Sequence, residues 1–293
     1  MYNEQKQNTR PRLGLGSFAY RYAIGCEGFR PLQPMTTLDF LIAAHQMGFE
    51  GVQLCENLNY AKLSREELLK VKEKAAELNL FLELGMRDLT LENILFHLDL
   101  AELLSASFLR VVLGKNQPAP EKAPGELIDS AIKTLTAVLP RCHQQGVIIG
   151  LENHFDLRTQ DLLTIVQEVN DPRVGMILDT TNCLGFVERS EETLKALSPY
   201  LLSVHLKDYF IKKVEAGYLI TGTALGEGWL DTPGIVKQLV KLPRQLVSII
   251  IELTVRRGEQ QSPEEILASE QAAIERSLSY LNFALRLEGS EST

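Results

Sequence analysis

Four side chains of metal-ligating type close four successive apolar runs: Glu152 after VIIGL, Asp179 after VGMIL, His205 within LLSVHL and Glu252 after VSIII. Taken singly, each has an ordinary explanation. A carboxylate just past a strand is often a helix cap or a turn residue, and a histidine in an apolar strand is often a hydrogen-bonded core residue. Their recurrence at the same end of four consecutive runs sets them apart. If those runs are neighbouring strands of one barrel, three carboxylates and an imidazole surround one point. Burying that much negative charge requires a counter-ion, and a divalent cation is the natural one. An oxygen-rich set with one nitrogen and no cysteine suits Mn²⁺, Mg²⁺ or Co²⁺ better than a structural zinc, with Zn²⁺ as a further alternative. A metal chelated by a carbonyl and a neighbouring hydroxyl acidifies the adjacent C–H, because the charge of the enediolate falls on oxygens the cation already holds.

The elements that must position these residues are legible as an alternation of short apolar runs and longer helical patterns. Eight strands are expected: Leu13–Phe18, Gly51–Cys55, Leu80–Leu84, Phe108–Leu113, Val147–Leu151, Val174–Leu178, Leu201–Leu206 and Val247–Ile251. Helical patterns lie between them, and a last one runs from about Pro263 to Arg286. The runs are too apolar to be half-exposed, as expected of strands covered on both faces. Eight strand–helix units in 293 residues predict a single-domain (β/α)₈ TIM barrel over residues 13–287, with polar tails at 1–12 and 288–293. The rival, a doubly wound open sheet, would show a glycine-rich nucleotide turn after the first strand, and LGLGSF lacks the third glycine. Ala19–Thr37 and Lys207–Thr232 are longer than ordinary connections. The second holds a possible hairpin at Val214–Thr221 and the sequence Gly226-Glu-Gly-Trp229. Both follow strands, which puts them on the catalytic face of a barrel.

Composition narrows the partners. With 30 basic and 38 acidic side chains the formal charge is -8, so neither a nucleic-acid track nor an anionic membrane surface is expected to bind. No apolar run reaches the length of a membrane span, and the first ten residues carry no signal-peptide pattern, so the expected compartment is the cytoplasm. Four scattered cysteines argue for reduced thiols.

The motifs LGLGSF, GFEGVQL, GLENH, GMILDTTN, SVHLKD, LGEGWLD and IIIEL together resemble the xylose-isomerase-like TIM barrels, a superfamily of sugar and sugar-phosphate isomerases, epimerases and dehydratases. The resemblance implies that Glu152, Asp179, His205 and Glu252 bind one Mn²⁺-type ion, and that Glu152 and Glu252 also move protons at the substrate carbon. Returned to the opposite face of that carbon, a proton gives epimerisation; returned to its neighbour, aldose–ketose isomerisation. The expected activity is therefore a metal-dependent isomerase or epimerase of a small carbohydrate, free or phosphorylated. A homo-oligomer is expected by analogy with barrels that pair through long terminal helices.

Other residues in the loops after strands have substrate roles to offer. His154 could bind a substrate hydroxyl or support a ligand carboxylate; Lys207 could neutralise an acid group or pair with Asp208. Glu56, Arg87 and Lys115 sit where they could contact substrate, and Trp229 could stack on a sugar face. Free-sugar epimerases of the superfamily commonly carry a histidine and an arginine near the reactive oxygens, and here those places hold Asn182 and, approximately, Ile211. SFAYRYAIG together with HLKDYFI is similar to a decarboxylase branch. The alternative is accordingly a lyase that decarboxylates a 3-oxo sugar acid of the 3-oxo-isoapionate type, with Lys207 or Arg21 near the carboxylate, or dehydrates a polyol ketone.

Overall fold

The computed structural model describes residues 11–115, 123–242, 246–258 and 260–290. Of the expected tails, residues 1–10 and 291–293 lie outside them. Eight parallel strands close into a barrel: β1 (Arg12–Gly16), β2 (Gly51–Leu54), β3 (Phe81–Met86), β4 (Phe108–Val111), β5 (Ile148–Glu152), β6 (Val174–Asp179), β7 (Leu201–Leu206) and β10 (Ser248–Ile251), the last pairing with both β7 and β1. Each overlaps its expected run.

Two alternating side-chain sets explain why these strands look uniformly apolar. One set, including Leu15, Val52, Leu54, Leu84, Leu109 and Ile149, joins the large hydrophobic cluster shared with the surrounding helices. That cluster takes in Ile94 and Leu98 of α4 (Leu91–Leu104), Leu135 of α5 (Pro124–Gln145), Ile165 of α6 (Thr159–Val169) and Leu281 of α9 (Pro263–Ser290). The other set fills the barrel. Phe108, Ile177 and Leu202 pack together as a separate apolar cluster. Gln53, Glu83, Ser203 and Ser248 are buried polar residues in which Gln53 Nε2 donates to Glu83 Oε2 at 2.9 Å and the two serine hydroxyls meet at 2.8 Å.

Both extended segments reach over the barrel mouth. The first contains a short helix, α1 (Arg21–Ile24), and a bridge between Cys26 and Phe29. The second is an antiparallel hairpin, β8 (Asp208–Val214) and β9 (Gly217–Thr223). The hairpin begins six residues before the expected Val214 because a two-stranded exposed ribbon buries no face, so its first strand leaves no hydrophobic signature. The four cysteines are free, as their spacing suggested. Among the described residues no helix is long and apolar enough to cross a membrane.

Candidate metal centre and active site

Side chains alternate in direction along a strand, so residues two apart share a face. Ser203, His205 and Lys207 follow that rule at the end of β7, Ile177 and Asp179 at the end of β6, and Ile250 and Glu252 at the end of β10. One ligand atom from each of Glu152, Asp179, His205 and Glu252 lies within 4.8 Å of the others, and all four residues are buried. His205 Nδ1 is 2.7 Å from Glu252 Oε2 and 3.4 Å from Glu152 Oε2.

The donor set fits a cation. His205 Nε2 is closed off from solvent with no polar partner, and the buried His205 Nδ1, Asp179 Oδ2 and Glu252 Oε2 are met only by one another, by Glu152 and by Lys207, which leaves three acids and an imidazole turned toward one point that a cation would satisfy. The remaining valences are used to aim the carboxylates. Asp179 Oδ1 accepts the N–H of Thr181 at 2.8 Å and of Asn182 at 3.0 Å, leaving Oδ2 toward the cluster. Asn182 Nδ2 donates to Glu152 Oε1 at 3.1 Å, and Asn153 brackets the Asp179 backbone through Nδ2 and Oδ1.

Two cations share the buried centre. Lys207 Nζ is 2.6 Å from Asp179 Oδ2 and 3.5 Å from Glu252 Oε2. Burial alone would depress this ammonium, but Asp179 and Glu252 outweigh it and keep it protonated. Arg110, which sequence reasoning passed over, is the second: its Nε donates to Glu152 Oε2, and its Nη1 is 3.4 Å from Glu56 Oε2. It is buried inside the barrel beside Gly85 of β3, where a Cβ would come to 2.8 Å from Cys55 Sγ and into ordinary contact with Arg110 Cδ at 3.4 Å. Burial would raise the Glu152 pKa, yet Arg110 and His205 more than offset it and bring it down to about 2. A charged residue in the run FLRVVL was the available signal, since an arginine in a strand covered on both faces needs a partner inside.

Glu152, Glu252, His154, Lys207, Arg87 and Arg110 open onto a cavity of about 710 Å³, lined also by Phe18 just after β1, by Cys26 of the first extended segment and by Ile220 of β9. Asp179 and His205 do not line it. Glu56 pairs with Arg87 Nε, and Arg87 Nη1 is 3.3 Å from His154 Nε2. An arginine can only donate, so His154 Nε2 is the acceptor and Nδ1 carries the proton, toward Asp156 Oδ2 at 3.7 Å. Burial first, with Arg87 and Arg110 adding to it, pushes the His154 pKa down to about 3 and keeps the ring neutral.

Lys207 and Asp208 do not pair. Asp208 faces the other way and accepts four backbone N–H groups, from Gly226 and Gly228 at 3.0 Å through Oδ2 and from Tyr209 at 2.7 Å and Leu230 at 3.0 Å through Oδ1. The Gly226-Glu-Gly228 turn therefore spends its donors on an internal carboxylate, and Glu227 pairs outward with Arg276. Trp229 follows that turn, is 65% exposed and is not among the cavity's lining residues. Lys115 is half-exposed, 3.9 Å from Asp88. Ile211 lies on β8, away from the cluster, and Asn182 supports Glu152.

The chain belongs to the xylose isomerase-like TIM barrel family, whose profile matches residues 41–281. It is 27% identical over 271 residues to the 3-oxo-isoapionate decarboxylase of Pectobacterium atrosepticum, a match covering 92% of this chain and 94% of that one. Among solved structures, a D-psicose 3-epimerase crystallised in the presence of D-fructose superposes with a TM-score of 0.70 at 13% identity, over 94% of this chain and 99% of the other. A xylose isomerase-like protein from Mycobacterium smegmatis in complex with magnesium gives 0.68 at 17% identity, over 97% and 100%. These two likenesses concern the fold.

Proposed function

We propose that the protein is a divalent-metal-dependent carbohydrate enzyme, with Mn²⁺ the ion its ligand set suits best, and that it decarboxylates a 3-oxo sugar acid. Charge at the centre carries this reading. Three buried carboxylates face two cations, the half-buried Lys207 and the buried Arg110, so a divalent ion leaves the centre one unit positive with His205 neutral, which favours an anionic ligand. The nearly full-length similarity to a decarboxylase supports the same choice.

When bound, the ion would act as a Lewis acid that draws charge from the substrate's 3-oxo oxygen. Lys207 and Arg87, both on the cavity wall, are the partners we assign to the substrate carboxylate. As the bond to the carboxyl carbon breaks, CO₂ leaves and the bonding pair stays on the substrate carbon, which then takes a proton. We assign its delivery to the Lys207 ammonium, which lines the cavity and stands 3.5 Å from Glu252 Oε2. Glu152, held by Arg110 and Asn182, stays ionised and fixed in place. His154 keeps Arg87 aimed at the cavity.

A second reading, isomerase or epimerase, is favoured by one specific observation: both Glu152 and Glu252 reach the same cavity, so two carboxylates could exchange a proton at one carbon. Incubation of the Mn²⁺-loaded protein in D₂O with 3-oxo sugar acids and with ketoses separates the two. Stoichiometric CO₂ release is expected. Deuterium entering the carbon beside the carbonyl of a ketose, with no CO₂ from any acid, would transfer the assignment to the second reading.

A further inference from the structure

A second cavity of about 710 Å³ adjoins the first, and Arg21, Ile220, Thr221, Gly222 and Thr254 line both. Its wall adds Arg256, Arg257 and Gln261, and no aspartate or glutamate lines it among the described residues. In a chain with a formal charge of -8, three arginines lining one hollow without an acid run against the composition.

Buried structure sets these arginines in place. Arg21 begins α1, and that turn is held by Glu270 of α9, a buried carboxylate that accepts the N–H of Tyr22 at 2.6 Å and of Ala23 at 2.9 Å. The Arg257 backbone N–H donates to Tyr22 Oη at 3.1 Å and its Nη1 to Gly28 O at 2.6 Å, which ties the chain after β10 to the same loop. Gly222 allows β9 to lie against that chain, since a Cβ there would be 2.1 Å from Thr254 O. At this junction the Thr221 hydroxyl is closed off from solvent and has no hydrogen-bond partner.

Guanidinium groups recognise phosphate through paired, charge-assisted hydrogen bonds, and two of them suit a doubly charged group better than a hydroxyl. We propose that this cavity is a phosphate-monoester subsite for the far end of the substrate. The carbonyl end then reaches the metal cluster while Arg21 and Arg256 take the phosphate, and Arg257, held at Gly28, closes the wall beside them. The inference rests on the first cavity being the substrate cavity, and it narrows the substrate to a phosphorylated one.

Binding of inorganic phosphate to the full chain stripped of metal, followed by calorimetry, tests the subsite without help from an ion or from turnover. Saturable binding with a Kd of about 1 mM or tighter is expected, weakened at least about tenfold in an Arg21→Ala/Arg256→Ala double variant and partly kept in the Arg21→Lys/Arg256→Lys counterpart. Circular dichroism confirms that both variants fold. Absence of saturation by about 20 mM, or binding indifferent to the double alanine substitution, overturns the proposal. On the Mn²⁺-loaded protein, D-ribulose 5-phosphate should bind at least about tenfold more tightly than D-ribulose, and equal affinities overturn it as well. Phosphate binding that meets these expectations in a protein releasing no CO₂ from any acid would uphold the subsite and refute the decarboxylase reading; CO₂ release from unphosphorylated acids, unaffected by the double substitution, would do the reverse.

Discussion

Strands β5, β6, β7 and β10 end in three acids and a histidine, whereas Arg110 lies on β4 and Arg87 just after β3, with Glu56 after β2 shared between them. The two sides touch through Arg110 and Glu152, which are both buried. The acidic side is over-supplied with charge and needs a cation, while the basic side restrains one of its carboxylates and leaves Arg87 facing the cavity. Neither side is stable alone in a low-dielectric interior, because an ion without a partner there costs several kcal/mol. The contrast separates ligand-holding from ligand-aiming, and substitutions on each side should fail differently.

The largest effect is expected from His205→Ala on the acidic side. Loss of one of four donors should weaken divalent-ion binding by about 100-fold or more and abolish turnover, read as metal content after dialysis. Retention of a full equivalent of ion would show that the four residues do not act together. On the basic side, Arg110→Met should cost about 3–5 kcal/mol in urea unfolding of the metal-free protein, because it strands a buried Glu152. Added Mn²⁺ should recover part of that loss by taking over the charge, and a loss unchanged by the ion would mean that Arg110 and the ion do not balance the same carboxylate.

Adjacent residues sharpen the comparison further. Asp208→Ala removes the acceptor of four backbone donors and should cost about 2–3 kcal/mol with metal affinity unchanged. Lys207→Met removes a cation that competes for Asp179, so metal affinity should rise by about tenfold while turnover falls. If both substitutions altered metal affinity alike, the opposite orientations of the two side chains would be wrong.

The smallest effect concerns the loop that carries Arg21. Burial lifts the Glu270 carboxyl from an ordinary 4.5 to about 7, against the backbone N–H groups of Tyr22 and Ala23, which pull it down. A carboxyl whose pKa is higher folded than unfolded binds more protons in the native state. Its contribution is therefore complete below about pH 4.5 and is lost as pH rises through about 7. Thermal unfolding of Glu270→Gln should lack that decline, a difference of about 2 kcal/mol between pH 4.5 and 7.5. Parallel pH profiles for the two proteins would show that this carboxyl titrates normally.

The barrel was legible because every strand is a short, mainly apolar run buried on both faces, alternating with helical periods, and the ligand set because its four members close successive strands. The first strand of the hairpin was hidden, since an exposed ribbon such as DYFIKKV carries no burial pattern. Lys207 and Asp208 could not be told apart in sequence, being neighbours of opposite charge, until strand alternation turned one inward and the other toward the Gly226 turn. Arg110 was visible as a charge within an apolar run, but its partner lies 42 residues away on the next strand.

The sequence by itself determined the order of strands and helices and which side chains end the strands, because hydrophobic periodicity is a local property of the chain. Only the tertiary structure decided which charges meet, since pairing β4 with β5 sets Arg110 against Glu152 and pairing β10 with β7 sets Glu252 against His205. Electrostatic pairing in a buried centre depends on distances of a few ångströms between residues far apart in the chain, and that information exists only once the sheet has closed.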